Sequence, residues 1–311
     1  MVRILWLGVL AVLIAASPAH AQTRRELVLN VADNIIEVTL NGAPVRLEVT
    51  AEAFGAAVIN PEVAERLALV PDRRSGWRFG PISVEGRGAP SVIGFGHESR
   101  EVTVVWADSP VSARADGMIG IHHLPYDRVS FVLRTPQPGE VVDRLELKRV
   151  GSLFGNTRIG TPVKAGKREL LAIFVPEFMP HNLVTAPTAT FLATHLDGGF
   201  TKEPASTVHM RFGVMRPVRT MLVAQPLEIG SLAVNRFAVR YEDYGSTAPV
   251  GEVADNDPRF EKGRILVSGR RGQGRPDLLT RIGAEQLSAC SRLTYDLAAS
   301  VIELACAPRS E

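Results

Sequence analysis

Residues 41–67 read NGAPVRLEVTAEAFGAAVINPEVAERL, and residues 165–192 repeat their pattern as AGKRELLAIFVPEFMPHNLVTAPTATFL. Each copy runs from a glycine through an apolar, strand-like segment to a stretch with helical character. Placing Leu67 on Leu192 also matches three further pairs: Ala64 with Ala189, Ile59 with Val184, and Glu52 with Glu177. Several matches at one offset indicate that the chain contains two related halves.

A second shared element follows each copy. It reads DGMIGIHHL at residues 116–124 and RIGAEQL at residues 281–287. Both place an isoleucine before a glycine, as Ile119-Gly120 and Ile282-Gly283, with a leucine four positions after the glycine. An alternating, strand-like run comes next in both halves, so the repeat extends beyond one segment.

The order of these elements resembles the retropepsin-like and pepsin-like aspartic proteases, over roughly residues 36–306. The resemblance implies an all-β fold: a two-lobed, aspartic-protease-like β-barrel protein with pseudo-twofold duplicated lobes and few short helices. In that family each lobe supplies one aspartate from an Asp-Thr-Gly turn. The two carboxylates share one proton because both cannot ionise side by side, and they activate the water that attacks a peptide carbonyl.

Neither copy retains that aspartate. Counting forward from Gly42 places it on Thr50, and counting back from Val58 places it on Ala51. In the second copy, Glu177 is the only carboxylate of the corresponding window. The degenerate motif positions are Thr50, Ala51 and Glu52 in the first copy, and Val175, Pro176 and Glu177 in the second.

Glu52 and Glu177 are the candidates for a replacement acid pair because the repeat alignment makes them equivalent. The longer glutamate side chain displaces its carboxylate by roughly an ångström, an error that can reduce a rate on the order of 10²-fold. Pro176 also brings no backbone N–H to such a site. The sequence therefore favours a pseudoenzyme whose inter-lobe cleft binds a peptide or protein partner or is only structural. The alternatives are an active endopeptidase that uses Glu52 and Glu177, and a β-domain that binds envelope partners through another surface.

The N-terminus has the pattern of a signal peptide. Arg3 precedes an apolar run at residues 4–16, and a small-x-small sequence ends at Ala21, after which we expect cleavage. The apolar run is shorter than the roughly 20 residues that a membrane anchor needs. We therefore expect a periplasmic or secreted protein without a membrane anchor. Its predicted parts are a signal peptide at residues 1–21, an N-terminal lobe at residues 22–150 and a C-terminal lobe at residues 151–311.

The chain contains two cysteines, Cys290 and Cys306. The sequence between them reads as a hairpin that turns near Ala298 and places the cysteines opposite each other. Because an oxidising compartment favours pairing, we predict a disulfide between them.

Charge and motifs exclude several other functions. A formal net charge of +2 does not provide the basic field that nucleic-acid binding requires. The pair His122-His123 beside Asp127 lacks metal-site spacing and is interpreted as a surface turn. The basic run at residues 269–275 is interpreted as a Gly-rich loop, with a polyanion contact as the alternative. We thus predict neither a metal nor a cofactor, and the sequence does not indicate the oligomeric state.

Local patterns predict short strands joined by turns, with a helix capped by Asn60 and a second helix that starts near Thr185. We expect residues 78–87 to form one strand and residues 94–96 to form a flap-like turn. Residues 220–223 and 227–229 are predicted as separate strands. Residues 244–263 read as a surface insertion.

Overall fold

The computed structural model describes residues 25–52, 54–151, 157–243, 247–248, 250–252 and 278–308. The predicted signal peptide with its cleavage position at Ala21 lies outside the described residues, as do the basic run at residues 269–275 and most of the insertion at residues 244–263. Among the described residues, no helix has the length and hydrophobicity needed to cross a membrane.

The first ten strands contain the first copy of the repeat. They are β1 (Glu26–Asn30), β2 (Ile35–Leu40), β3 (Ala43–Thr50), β4 (Ala57–Ile59), β5 (Arg73–Phe79), β6 (Ile82–Phe95), β7 (Glu98–Ala107), β8 (Gly117–Gly120), β9 (Arg128–Val132) and β10 (Val141–Glu146). Helix α1 (Pro61–Arg66) follows β4, and a 3-10 turn (Ile121–His123) follows β8.

The remaining strands contain the second copy. They are β11 (Lys148–Gly151), β12 (Thr157–Ala165), β13 (Arg168–Val175), β14 (Leu183–Thr185), β15 (Gly198–Phe200), β16 (Ser206–His209), β17 (Met215–Ile229), β18 (Leu232–Arg240), β19 (Leu279–Gly283), β20 (Cys290–Asp296) and β21 (Val301–Cys306). The helical elements are α2 (Ala186–Leu196), a 3-10 turn (Arg211–Gly213) and α3 (Ala284–Leu287).

The two copies have the same strand order. The first lobe is arranged as β2-β3-β8-β4-β7-β6-β5, and a further pairing of β2 with β6 closes six of these strands into a barrel. The second lobe contains the corresponding path β12-β13-β19-β14-β18-β17, with matching parallel and antiparallel pairings. The predicted all-β fold with two duplicated lobes and few short helices is therefore confirmed. The exact limits of the lobes, near residue 150, stay a prediction.

Strand register matches the repeat at the level of single residues. Thr50 lies opposite Gly120 in the first lobe, and Val175 lies opposite Gly283 in the second. The next strand gives the same result, because Ile59 pairs with Gly117 and Val184 pairs with Thr280. Glu52 and Glu177 thus follow the ends of equivalent strands.

A third sheet joins the lobes. Its order is β1-β9-β20-β21-β10, so the hairpin of β20 and β21 from the second half lies between β9 and β10 of the first half. The predicted hairpin of β20 and β21 pairs Cys290 with Cys306, and a disulfide links them. This disulfide confirms the prediction from the cysteine pattern.

The carboxyl ends of β3 and β13 are buried, and that of β13 is a continuous apolar run. The last four residues of β3 and the last six of β13 are buried, which is typical of strands covered on both faces. Each large apolar side chain buried here stabilises the fold by about 1.5–3 kcal/mol. The strand ends that carry Thr50 and Val175 are therefore firmly positioned between the lobes.

Asn60 occupies the N-cap position of α1 as predicted, but its side chain does not cap the helix. Its side chain makes no capping bond; instead Oδ1 accepts from the backbone N–H groups of Val111 and Ser112, at 2.9 and 3.2 Å. Its Nδ2 donates to the carbonyls of Ser112 and Ala115, at 2.8 and 3.0 Å. The Asn60 side-chain amide thus bonds the backbone of a distant loop and not the first turn of α1.

The prediction of one strand at residues 78–87 is wrong. Gly80, with a φ of +64°, and Pro81 form the turn between β5 and β6. The turn between β6 and β7 lies at Gly96 and His97, so of the predicted turn at residues 94–96 only Gly96 belongs to it. The tip that meets the second lobe is Gly80, beside Asp243. The strands predicted at residues 220–223 and 227–229 merge into β17, with a register shift between Leu222 and Leu227.

Candidate functional site between the lobes

The structure brings the two degenerate motif windows together. Thr50 Oγ1 donates to Glu177 Oε1 at 2.6 Å, across the boundary between the lobes. The same hydroxyl oxygen accepts the backbone N–H of Glu52 at 3.0 Å. Thr50 therefore bonds to the Glu177 carboxylate and to the Glu52 backbone. Ala51, Val175 and Pro176 are buried.

Arg281 holds the Glu52 carboxylate. Its Nε and Nη2 donate to Glu52 Oε1 at 2.8 and 2.5 Å, and both side chains are 16% exposed. Burial by itself raises the pKa of Glu52, but the positive charges of Arg281 and Arg211 outweigh that effect, and the pKa lies below its usual value. Glu52 is thus an ionised carboxylate in a strong ion pair.

Glu177 lies in a different environment. Its side chain is fully buried, and Arg211 Nη2 approaches Oε1 only to 3.8 Å. Burial raises the pKa of Glu177 above its usual value, although the charge of Arg211 and the Thr50 hydroxyl act in the opposite direction. Its Oε2 has no hydrogen-bond partner among the described residues. The two equivalent glutamates therefore have pKa values shifted in opposite directions.

Arg211 comes from the loop between β16 and β17, hereafter the β16–β17 hairpin. Its guanidinium lies over the Phe178 ring, 3.6 Å from the centroid. Burial lowers the pKa of Arg211, and its Nε and Nη2 find no hydrogen-bond partner in the described part of the chain. A cation thus enters the site from an element that the repeat does not predict.

The next residue of that hairpin, Phe212, packs against the first lobe. Its ring centroid lies 4.3 Å from that of Trp77 and 6.3 Å from that of Phe79. Phe212 is only 4% exposed and shares an apolar cluster with Val58 and Met118. The β16–β17 hairpin of the second lobe therefore fills space between the two lobes.

A second buried ion cluster continues from this site. Asp243 Oδ1 accepts from Arg216 at 3.0 Å, and Arg240 Nη2 lies 2.8 Å from Asp243 Oδ2. Burial, followed by the charge of Arg281, lowers the pKa of Arg240 to about 10. Because Asp243 is also the contact of Gly80, this cluster connects the β5–β6 turn to the second lobe.

The isoleucine–glycine motifs have a packing role. Ile119 and Ile282 are buried on β8 and β19, beside β3 and β13. A Cβ on Gly283 would lie 2.5–2.6 Å from the carbonyl oxygens of residues 179–181, and one on Gly120 would lie 2.9 Å from the His122 ring. Glycine is needed at both positions because the backbone approaches its neighbours so closely.

His122 and His123 differ from the predicted surface turn. They occupy the 3-10 turn after β8, half-buried, with ring centroids 3.9 Å apart. His123 Nε2 lies 3.0 Å from the carbonyl oxygen of Phe54. Among the residues that the structure describes, no group of three metal-ligating side chains is assembled.

Sequence reasoning identified the glutamates but missed their arginines. Arg281 was visible as a charged residue directly before Ile282, at the register position that Met118 occupies in the first lobe. A charge at a position that is apolar in the other copy is a usable signal. Arg211 carried no such signal, because the β16–β17 hairpin reaches the site through tertiary packing alone.

No protein-family model and no curated protein sequence matches this chain. Among solved structures, it is similar to the protease of EIAV, determined in complex with the inhibitor HBY-793. The two chains are 18% identical with a TM-score of 0.23, and the match covers 34% of this chain and 88% of the viral protease.

Proposed function

We propose that this chain is an exported, non-catalytic protein of aspartic-protease-like fold that binds a peptide or protein between its lobes. The observation that carries the proposal is the double contact of Arg281 with Glu52 Oε1. A carboxylate held by a guanidinium is a weak base, because the ion pair favours the ionised form over the protonated one. An acid pair in which one member is neutralised in this way is poorly suited to activate water.

The surroundings of Glu177 support the same proposal. Its Oε1 is occupied by the Thr50 hydroxyl and faces Arg211. Because the β16–β17 hairpin covers this carboxylate, a substrate carbonyl has no open approach to it. We therefore assign the region between the two lobes to recognition and not to catalysis.

The alternative, an endopeptidase that uses Glu52 and Glu177, has one observation in its favour. The pKa of Glu177 is raised and that of Glu52 is lowered, and a pair of carboxyl groups whose pKa values are shifted apart is what acid–base catalysis needs. The alternative requires Arg281 to leave Glu52 when a substrate binds.

A cleavage assay separates the two functions. We expect the purified protein to leave an unfolded protein substrate intact between roughly pH 3 and 7. Cleavage that disappears in Glu52→Gln or Glu177→Gln, but persists in the exposed control Glu62→Gln, would establish the peptidase and overturn our proposal.

Binding is tested with a random peptide library. We expect immobilised protein to retain a subset of peptides and to release them uncut. Retention of no peptide, both by the native chain and by a variant with the β16–β17 hairpin truncated at Arg211 and Phe212, would contradict the binding function.

Export is tested separately on the full chain. Expression in a Gram-negative host and N-terminal sequencing of the product should give Gln22 as the first residue, in the periplasmic fraction. A cytoplasmic product that keeps residues 1–21 would contradict export. The disulfide of Cys290 and Cys306 is consistent with an oxidising compartment.

A further inference from the structure

The β16–β17 hairpin occupies a place with the chemistry of a ligand site. We define the Phe212 seat as Trp77, Phe79, Val58 and Met118 of the first lobe, together with Phe178 and Glu177 of the second. The rings of Trp77 and Phe79 lie beside the Phe212 ring, and Val58 and Met118 belong to the same apolar cluster. Phe178 and Glu177 face the Arg211 guanidinium. An aromatic pocket thus lies next to a buried carboxylate.

The β16–β17 hairpin leaves polar atoms at the Phe212 seat without hydrogen bonds to any described residue. Arg211 Nε and Nη2 and Glu177 Oε2 are all buried without a hydrogen-bond partner among the described residues. Phe212 has a φ of +60°, in the left-handed region that residues other than glycine rarely adopt. Buried unpaired polar atoms and backbone strain both reduce the net stability of the closed arrangement. A ligand that reaches the carboxylate in better geometry can therefore compete with the hairpin.

We propose that the Phe212 seat binds a peptide segment in which a basic residue is followed by an aromatic one, and that the β16–β17 hairpin closes the seat until such a segment displaces it. The proposal rests on the peptide-binding function proposed above. The basic side chain pairs with Glu177 over the Phe178 ring, and the aromatic side chain enters the pocket beside Trp77.

Tethering explains why the seat is filled in the free protein. A segment on a short connection has an effective concentration in the millimolar range, so a free peptide must exceed that concentration or bind more tightly. Removal of the two hairpin side chains should release the seat for binding in trans.

The test uses the variant Arg211→Ala/Phe212→Ala and a synthetic nine-residue probe, TVHMRFGVM, the sequence of residues 207–215. The control peptide carries alanine in place of its arginine and phenylalanine. We expect the double variant to bind the probe at least about tenfold more tightly than the control peptide, followed by the fluorescence of Trp77 and by calorimetry. Met215→Ala, at an exposed position of the same hairpin, should bind the probe as weakly as the native chain does.

Equal binding of the probe and the control peptide to the folded double variant overturns the proposal. If circular dichroism indicates that this variant does not fold, the test is made on the native chain instead. Millimolar probe should then accelerate hydrogen exchange at the Met210 amide, which donates to the carbonyl of Val214 within the hairpin. Unchanged exchange overturns the proposal as well.

These outcomes differ from failure of the proposed function. Cleavage that depends on Glu52 or Glu177 would contradict a non-catalytic function, whatever peptide the double variant binds. Retention of library peptides that lack the basic–aromatic pair, together with equal binding of probe and control, would retain the binding function and reject this seat.

Discussion

One difference between the repeats, Thr50 against Val175, contributes to the unequal environments of Glu52 and Glu177. Thr50 has a hydroxyl that donates across the boundary to Glu177. Val175, at the equivalent position, has no donor to offer to Glu52, and Arg281 supplies the bond instead. The equivalence of the glutamates could be predicted from the repeat. The opposite shifts of their pKa values could not, because each partner comes from another lobe or strand.

Asn60 provides a prediction at the same scale. Asn60→Ala leaves the buried N–H groups of Val111 and Ser112 without their acceptor, and we expect the free energy of unfolding to fall by about 2–4 kcal/mol. Urea denaturation measures the loss, and hydrogen exchange should rise at both amides. The exposed Asn235→Ala serves as the control, with a change within about 0.5 kcal/mol. A loss of about 1 kcal/mol with unchanged exchange would instead indicate simple helix capping.

His122 makes stability depend on pH. Burial, followed by the charges of His123 and Arg149, lowers its pKa from 6.5 to about 3. The unfolded chain therefore binds a proton that the folded chain excludes, so the stabilisation is complete above pH 6.5 and is lost as the pH falls toward 3.

We expect the native chain to lose about 1–2 kcal/mol more than His122→Gln between pH 7 and pH 5, measured by urea denaturation. His209→Gln, at an exposed position of β16, controls for the substitution itself. Identical pH dependence of the native chain and His122→Gln would contradict the assignment.

At the scale of elements, the β5–β6 hairpin links the lobes through its tip. Gly80 and Gly96 both have a positive φ, +64° and +71°, so alanine strains both turns. Only at Gly80 does an added Cβ collide with another group, the Asp243 carboxylate and its backbone. Gly96 has nothing within 4 Å of that position, which makes it a matched control.

We expect Gly80→Ala to reduce the free energy of unfolding by at least about 1 kcal/mol more than Gly96→Ala does. Urea denaturation of the two variants gives the difference directly. Equal losses would show that the β5–β6 tip does not depend on its contact with Asp243.

Element boundaries show where sequence reasoning is reliable. The strand and helix signals around residues 41–67 and 165–192 predicted β3, β13, α1 and α2, because apolar periodicity and proline at the first helical turn are local. The turn at Gly80 and the destination of the Asn60 side chain were missed. The turn at Gly80 has a local signal, because the Gly80-Pro81 dipeptide is typical of turns. The destination of the Asn60 side chain depends on the distant loop around Ser112, which no local pattern specifies.

At the scale of the whole molecule, the third sheet should make the lobes unfold together. The described tryptophans, Trp77 and Trp106, both belong to the first lobe, whereas far-UV circular dichroism detects strands in both. We expect fluorescence and circular dichroism to give coincident urea transitions. Reduction of the disulfide, which spans a sequence separation of 16, should lower the free energy of unfolding by about 3 kcal/mol.

Two separate transitions would contradict this coupling and show lobes that unfold independently. Cys290→Ala/Cys306→Ala, measured without reductant, should reproduce the loss seen on reduction. An unchanged midpoint on reduction would mean that the pairing of β20 with β21 needs no covalent link.

The order of strands in the third sheet also constrains synthesis. β10 finds its partner only in β21, the final strand of the described chain, and β9 receives one of its two neighbours from β20. During synthesis, the edges of β9 and β10 therefore stay unpaired until β20 and β21 have been made. Unpaired strand edges are prone to aggregation, so we expect a chaperone to bind the chain at this stage. A product truncated before β20 would expose the edges of β9 and β10 permanently.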